Sequence, residues 1–356
     1  MKTIFDLNLS PKLVNHVLEK PMPSTIRPIC RRTFDTQKLV DEFPPRLSHP
    51  NKKIVYRIAC PRNAFHAGRI DFARWAKMDL PPTLNRKDAP TNVETREDYF
   101  GYEPSPEGSR AIEWYLNFAH NDLFCAYGGW LFAQDEMQVA EHPALASLRE
   151  ALVESDLEPR TVERGQPTPA LMMGVERRCR VAIDPNADQG RPFGLYGNNF
   201  AGASAEAIAL ATQAIVPPTI TNLIAMEAPD GGSGRYSRQE IEFILGTAYT
   251  GFAAARLMSQ ESDSSREVVV HTGYWGCGAY GGNRVLMALL QVLGASLARL
   301  DRLVFHTGDA SGRPALQEAT RLLWQDLASG IQPHTVSELV VQIEAMGFQW
   351  GVSDGN

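Results

Sequence analysis

From about residue 106 onward, short apolar runs rich in β-branched residues alternate with longer stretches whose apolar positions recur every three or four residues. The runs Trp114–Ala119, Ala170–Gly174, Leu223–Ala228, Val268–Thr272 and Leu303–Thr307 predict strands. Helical spacing marks Gln138–Glu154, Ala205–Ala214, Arg238–Leu257 and Val285–Arg299. This alternation predicts an α/β fold, a largely parallel or mixed sheet flanked by helices on both faces. In such sheets ligands bind beyond the carboxyl ends of the strands.

The pattern before that point is different. Ser10 and Pro11 can open a helix over Lys12–Glu19, which Pro21 ends, and Lys53–Ala59 reads as a strand. The segment Leu80–Pro104 is polar and proline-rich and predicts an irregular connection. Residues 1–105 are therefore expected to form an N-terminal accessory region, with residues 106–356 forming the α/β domain. Asp184–Ala203, rich in Asp, Asn, Gly and Pro, reads as a long surface loop.

Composition narrows the function classes. A hydrophobic content of 44% supplies a real core. The net charge of -6 argues against a protein that grips nucleic acid through its phosphates. Five cysteines are scattered with no CxxC pair, which fits reduced thiols better than disulfides or a metal site. No run is long and apolar enough for a bilayer and the first residues lack a signal-peptide core, so a soluble cytoplasmic protein without membrane partners is expected. No cofactor is implied, and nothing in the composition sets an oligomeric state.

Candidate chemistry concentrates in two segments. In the first, Val268-Val269-Val270 leads into a turn holding five glycines between Gly273 and Gly282, followed by the helix-like run from Val285. Such a turn can aim several N–H groups at one point, and the following helix dipole favours phosphate oxygens. Trp275 and Tyr280 stand among the glycines, which suggests a loop that holds a diphosphate and presents a ring to a sugar. A tight turn carrying two core aromatics accounts for the spacing equally well. In the second segment, the predicted strand ending at Ala119 runs through Gly128-Gly129 to Gln134-Asp135-Glu136 at a helix start. Adjacent acids at a helix N-terminus commonly serve only the dipole and the free N–H groups.

Together these residues resemble the poly(ADP-ribose) glycohydrolase family. Trp275-Gly-Cys-Gly-Ala-Tyr-Gly-Gly282, the helix Leu286–Leu297 and Leu303–Asp309 are similar to the end of its catalytic domain, an enlarged macrodomain. Phe118-Ala119-His120, Tyr127-Gly128-Gly129 and Gln134-Asp135-Glu136 follow the order of the family's Phe-Ala-Asn, triple-glycine and Gln-Glu-Glu motifs, and Ala248–Phe252 resembles the helix before the phosphate loop. The resemblance implies a macrodomain-like fold and hydrolysis of an ADP-ribosyl glycosidic bond. It implies Glu136 as general acid and Asp135 as the acid that positions the ribose. Gln134, Asn117, His120, Gly128 and Gly129 would then line the ribose side. Gly276, Cys277, Gly278, Ala279, Tyr280, Gly281 and Gly282 would form the diphosphate loop, Tyr280 lying over the terminal ribose. An ADP-ribose-containing substrate is the implied partner. Breaking a ribosyl bond passes through an oxocarbenium-like state and needs a proton for the leaving oxygen. A Glu supplies it at neutral pH if burial or a neighbouring carboxylate raises its pKa, and Asp135 can be that neighbour if both side chains face the pocket.

The chain departs from the family in three places: one glycine is missing, His120 replaces Asn, and Val175–Arg180 holds no tyrosine where an adenine-side tyrosine is expected. The alternatives are an ADP-ribose-binding macrodomain that does not cleave, and a glycohydrolase acting on a small NAD-derived metabolite. His271 and His306, at strand ends, read as core or rim histidines, and Gly231–Gly234 with Arg235 as a flexible turn rather than an anion site. Gly197–Gly202 imitates the family's Asn-rich ribose loop in part, ranking below the Glu136 segment.

Overall fold

A computed structural model describes residues 27–85, 91–103, 108–262, 265–329 and 332–355. The helix expected at Lys12–Glu19 lies outside the described residues. Eight strands form one sheet: β1 (Pro28–Asp35), β2 (Arg69–Trp75), β3 (Asn92–Arg96), β4 (Ala111–Phe118), β5 (Ala170–Val181), β6 (Thr212–Met226), β7 (Glu267–Thr272) and β8 (Arg302–His306). Their order is β1-β2-β5-β6-β4-β7-β8-β3. The pairs from β1 to β6 are antiparallel, and the pairs from β6 to β3 are parallel. This is the mixed α/β sheet that the alternation predicts. In the parallel half, β7 buries Val268, Val269 and Val270 together because both faces are covered.

The helices are α1 (Thr36–Glu42), α2 (Pro50–Ala59), α3 (Gln134–Glu141), α4 (Ala144–Val153), α5 (Ala205–Ala211), α6 (Arg238–Ser262), α7 (Arg284–Leu297), α8 (Arg313–Arg321) and α9 (Val336–Ala345). One face of the sheet packs Trp114, Leu116, Ile224 and Phe305 against α6 and α7. The opposite face packs Tyr115, Leu223 and Ala225 against Leu145 and Leu148 of α4. A third apolar cluster joins Val55 and Ala59 of α2 to Phe132, Leu195, Phe200 and Ile208.

Several expectations are corrected. Lys53–Ala59 is helical, not extended: Pro50 opens α2 and the His49 ring accepts the Asn51 N–H. Burial of Asn51, Val55 and Ala59 follows the helical repeat, which outweighs the β preference of Ile54-Val55-Tyr56. The helix expected over Gln138–Glu154 is two helices, broken at His142-Pro143, where the ring disfavours helical backbone in the preceding residue. Leu80–Pro104 is not wholly irregular, since β3 lies within it and pairs with β8. As an edge strand with one partner, β3 tolerates the polar sequence Asn92-Val-Glu-Thr-Arg96. The surface loop Asp184–Ala203 buries Leu195 and Phe200 and carries short helical turns at Ala187–Gln189 and Asn199–Gly202.

Residue 105 marks no break in the sheet. Three of its strands, β1, β2 and β3, precede that position and occupy both edges. Gly174 shows how closely the N-terminal part is joined. It has φ +88° at a bulge in β5, and a Cβ there would stand 2.5 Å from the Arg69 carbonyl oxygen.

Candidate functional site

Strands β6, β4 and β7 are parallel neighbours, so their carboxyl ends open onto one side of the sheet. Three segments leave from there: 119–133 after β4, 227–237 after β6 and 273–283 after β7.

The first segment delivers the acid pair. Asp135 and Glu136 occupy the first turn of α3, exposed by only 7% and 4%. Asp135 Oδ1 accepts from Asn117 Nδ2 at 3.0 Å, which ties the helix to β4. Glu136 Oε2 accepts the Ala133 N–H at 3.1 Å, so this carboxylate does cap the helix start. Burial raises the Asp135 pKa and the charge of Glu136 raises it further, against the Asn117 hydrogen bond and the charges of Lys52 and Arg149. Gln134 is engaged with the strand: its Oε1 accepts from Phe118 N at 2.8 Å and its Nε2 donates to Leu116 O at 3.0 Å. Both ends of the Gln134 amide thus hold α3 at the end of β4 rather than standing free for a ribose.

The glycines before α3 are also accounted for. The Gly128 carbonyl accepts from Ser48 N and His49 N, each at 3.0 Å, and a Cβ on Gly128 would lie 2.4 Å from Arg46 O. Gly128 is therefore small because the chain at residues 46–49 crosses directly over it. Gly129 N donates to Ala126 O at 3.0 Å in a local turn. His120 Nδ1 accepts the Asp122 N–H at 3.1 Å, with the Cys125 sulfur at 3.6 Å.

The second glycine segment folds on itself. Cys277 N donates to Tyr274 O, Gly281 N to Gly278 O and Gly282 N to Gly276 O. The N–H groups of Gly276, Gly278, Ala279 and Tyr280 have no backbone partner among the described residues. Burial pushes the Cys277 thiol up to about 12, so it is a neutral thiol in the loop wall. Asn283 caps α7 through Val285 N and Leu286 N, and the buried Gln291 donates to Gly273 O at 3.1 Å, fixing the loop on its helix. The exposed Arg284 begins that helix and lies 5.1 Å over the Tyr274 ring.

The two loop aromatics part company. Trp275 turns into the core, 1% exposed, and donates to Met226 O at 2.9 Å. Tyr280 turns toward the acids, its hydroxyl 3.5 Å from Glu227 Oε1 and its ionisation opposed by burial and by the charges of Glu227, Asp230 and Asp135. Glu227, the first residue after β6, also accepts the Asn121 N–H at 2.9 Å. Burial raises its carboxyl to about 7.

Residues 348–355 lie along the glycine loop. Trp350 stacks on Tyr236 with ring centroids 4.2 Å apart, Gly351 N donates to Gly281 O at 2.8 Å, and Asp354 N donates to Gly278 O at 3.3 Å. The turn Gly231–Gly234 is structural: a Cβ on Gly232 would stand 2.1 Å from the Trp350 ring. His271 and His306 are buried rim histidines, joined at 3.0 Å, with His306 held by Asp98 at 2.7 Å. Val175–Arg180 lies within β5, where Arg177 pairs with Glu141 at 2.9 Å and Arg178 with Glu176 at 2.6 Å. In the Gly197–Gly202 segment, Gly197 N donates to Phe132 O at 2.9 Å, and Phe200 stacks on Phe132 at 4.0 Å, which supports the entry to α3.

The sequence reading missed Lys52, Glu227 and Tyr196. Tyr196 is partly exposed beside the start of α3, its hydroxyl bonded to the Gln134 backbone and kept protonated chiefly by burial, with help from the charges of Asp354 and Glu136. None of the three belongs to a local motif.

Residues 196–313 match the family described as Poly (ADP-ribose) glycohydrolase (PARG), Macro domain fold. Solved structures similar to this chain include poly(ADP-ribose) glycohydrolase from Thermomonospora curvata, at 15% identity over 82% of this chain and 85% of that one, with a TM-score of 0.42. The same protein bound to the inhibitor ADP-HPD is 15% identical over 80% of this chain and 97% of its own, with a TM-score of 0.42. The Deinococcus radiodurans protein in complex with ADP-ribose is 15% identical over 82% of this chain and 92% of its own, with a TM-score of 0.37.

Proposed function

We propose that this chain, whose residues 196–313 match the poly(ADP-ribose) glycohydrolase family, hydrolyses an ADP-ribosyl glycosidic bond. The observation that carries the proposal is the buried pair Asp135–Glu136, set at the carboxyl ends of parallel strands with Tyr280 facing it from the glycine loop. Burial and the adjacent Glu136 charge both raise the Asp135 carboxyl, so a proton is held at this site more tightly than on an ordinary carboxylate.

In this reading the diphosphate sits on the N–H groups of Gly276, Gly278, Ala279 and Tyr280, and Arg284 stands at the same helix start to offset its charge. The Tyr280 ring then bounds the terminal ribose and sets the angle at which C1″ meets the acids. Glu136 delivers the proton to the leaving oxygen as the bond breaks. Asp135, held by Asn117, orients the ribose and raises the proton affinity of the pair. Water completes the reaction at C1″, giving free ADP-ribose. The Gly128 turn serves as backbone support, because the chain at Arg46 fills the space where its Cβ would be.

The test is incubation of the full chain with poly(ADP-ribose), mono-ADP-ribosylated protein and NAD, following free ADP-ribose by mass spectrometry. Release from at least one of them that disappears in Glu136→Gln supports the proposal. Tight ADP-ribose binding with no release from any substrate overturns it in favour of a binding module.

A further inference from the structure

Lys52 is a deeply buried ammonium group next to the acid site, and it comes from the N-terminal stretch. It is 2% exposed. Its Nζ donates to the Tyr127 carbonyl at 2.9 Å and lies 5.1 Å from the Phe132 ring centroid and 5.7 Å from that of Phe200. Those rings stack on each other and supply an apolar wall with a negative π face toward the cation. One carbonyl and two rings leave part of the donor capacity of an ammonium unmet, and an unpaired buried charge is costly. The remaining compensation comes from α3: the charges of Glu136 and Asp135 favour the charged ammonium, against burial, which lowers its pKa to about 8.

The surrounding contacts show a built site. Ser48 and His49 hold the Gly128 carbonyl, and Asn51 Nδ2 holds the carbonyls of Phe200 at 2.8 Å and Ala203 at 3.0 Å. The short segment 46–52 thus fastens, through adjacent residues, the turn that leads to the acid pair and the Phe200–Ala203 segment that packs on Phe132 beside it. We propose, building on the hydrolase reading, that Lys52 is a positioning residue of the acid site. Its buried ammonium holds the Tyr127–Gly129 turn from below and supplies the counter-charge against which Asp135 and Glu136 share one proton. The other charged or titratable groups facing the pair are Arg149 from α4, Cys125 and Tyr280 from the loops, and Tyr196; His49 faces Lys52 itself.

The experiment follows the side-chain carboxyl carbons of Asp135 and Glu136 by carbon NMR against pH in the full chain. Wild type is compared with Lys52→Met, which keeps the apolar stem, and Lys52→Arg, which keeps the charge. Loss of a close cation should raise the upper titration of the pair by about one to three units in Lys52→Met. Lys52→Arg should stay near wild type. The alkaline limb of the rate profile should move upward with the NMR value, and kcat should fall more than KM rises. A folded Lys52→Met with unchanged carboxyl titration, or a Lys52→Arg that shifts as far as Lys52→Met, overturns the proposal. If Lys52→Met does not fold, the Lys52 Cε resonance is titrated instead in wild type and Asp135→Asn. Removing one facing carboxylate should lower the lysine pKa, and an unchanged value overturns the proposal. Neither titration needs turnover. A chain that cleaves no substrate but shows these shifts refutes the hydrolase reading alone, and a chain that cleaves without them refutes the role of Lys52 alone.

Discussion

Glu136→Gln gives the sharpest separation between a catalytic acid and a helix cap. The substitution keeps shape and an acceptor oxygen but removes the transferable proton. Glu136 is 4% exposed and its Oε2 accepts the Ala133 N–H at 3.1 Å. The glutamine carbonyl can take over that bond. Even complete loss of the cap would cost only about 0.5–2 kcal/mol of stability. Loss of general-acid assistance is worth about 10²- to 10⁴-fold in rate. At about 1.4 kcal/mol per tenfold this is about 3–5 kcal/mol of barrier. Stability and rate should therefore diverge: a melting temperature close to wild type beside turnover lowered by that factor, with ADP-ribose affinity by calorimetry nearly unchanged. The neutral neighbour should also let Asp135 lose its proton at lower pH, since the Glu136 charge is one of the causes that raise it. Initial rates of ADP-ribose release, measured beside a thermal melt of the same preparation, decide the matter. A folded Glu136→Gln that keeps most of its rate would show the residue to be a cap only.

Asp135 links the site to stability. Its pKa is raised in the folded chain, so its contribution is fully present below the ordinary carboxylate range and is lost as pH rises through the raised value. Denaturant midpoints taken from acid to mildly alkaline pH should fall in wild type relative to Asp135→Asn, and parallel curves would refute this. Gly281 has φ +65° and its added Cβ would stand 2.9 Å from Ser353 N, so Gly281→Ala should cost about 1–2 kcal/mol and lower the melting temperature by a few degrees. An unchanged melt would mean that residues 351–355 do not rest on the loop in solution. Tyr280→Phe loses only the long 3.5 Å contact to Glu227 and should be mild. Tyr280→Ala should lower turnover on the order of 10²-fold by letting the ribose shift about 1 Å. Severe unfolding of Tyr280→Ala with normal specific activity in the folded fraction would make the ring a core residue.

What was legible in the sequence is what is local. Gly276–Gly282 begins within a few residues of the end of β7, and Asp135-Glu136 opens the first helix after β4, so their place at the sheet's carboxyl edge could be read directly. Val268–Val270 announced a strand covered on both faces. The polar edge strand β3 was hidden because one-sided pairing imposes no apolar alternation. The β-branched residues of α2 pointed to a strand, and only Pro50 and the buried Asn51–Val55–Ala59 spacing argued for a helix. Lys52 was invisible because its partner Tyr127 lies 75 residues away, and no spacing rule connects them. The family resemblance puts Gly128 on the ribose side, whereas the close approach it permits is that of Arg46. The missing datum was a tertiary neighbour, not a motif.

The position of β3 has a consequence for how the chain is made. Among the described strands β3 is hydrogen-bonded only to β8, and the Asp98–His306 contact just beyond joins residues 208 apart in sequence. A ribosome releases β3 long before its partner exists. During that interval the strand end carries unpaired backbone groups, and the last parallel pairing must close a very long loop. Pairings of such separation form late and slowly, and an unclosed sheet edge invites association with other nascent chains. The acidic and basic side chains of Glu94 and Arg96, paired with each other at 2.7 Å, make that waiting edge a poor template for aggregation. Expression yield should therefore respond to the rate of synthesis and to chaperone supply more strongly than the stability of the finished molecule would suggest.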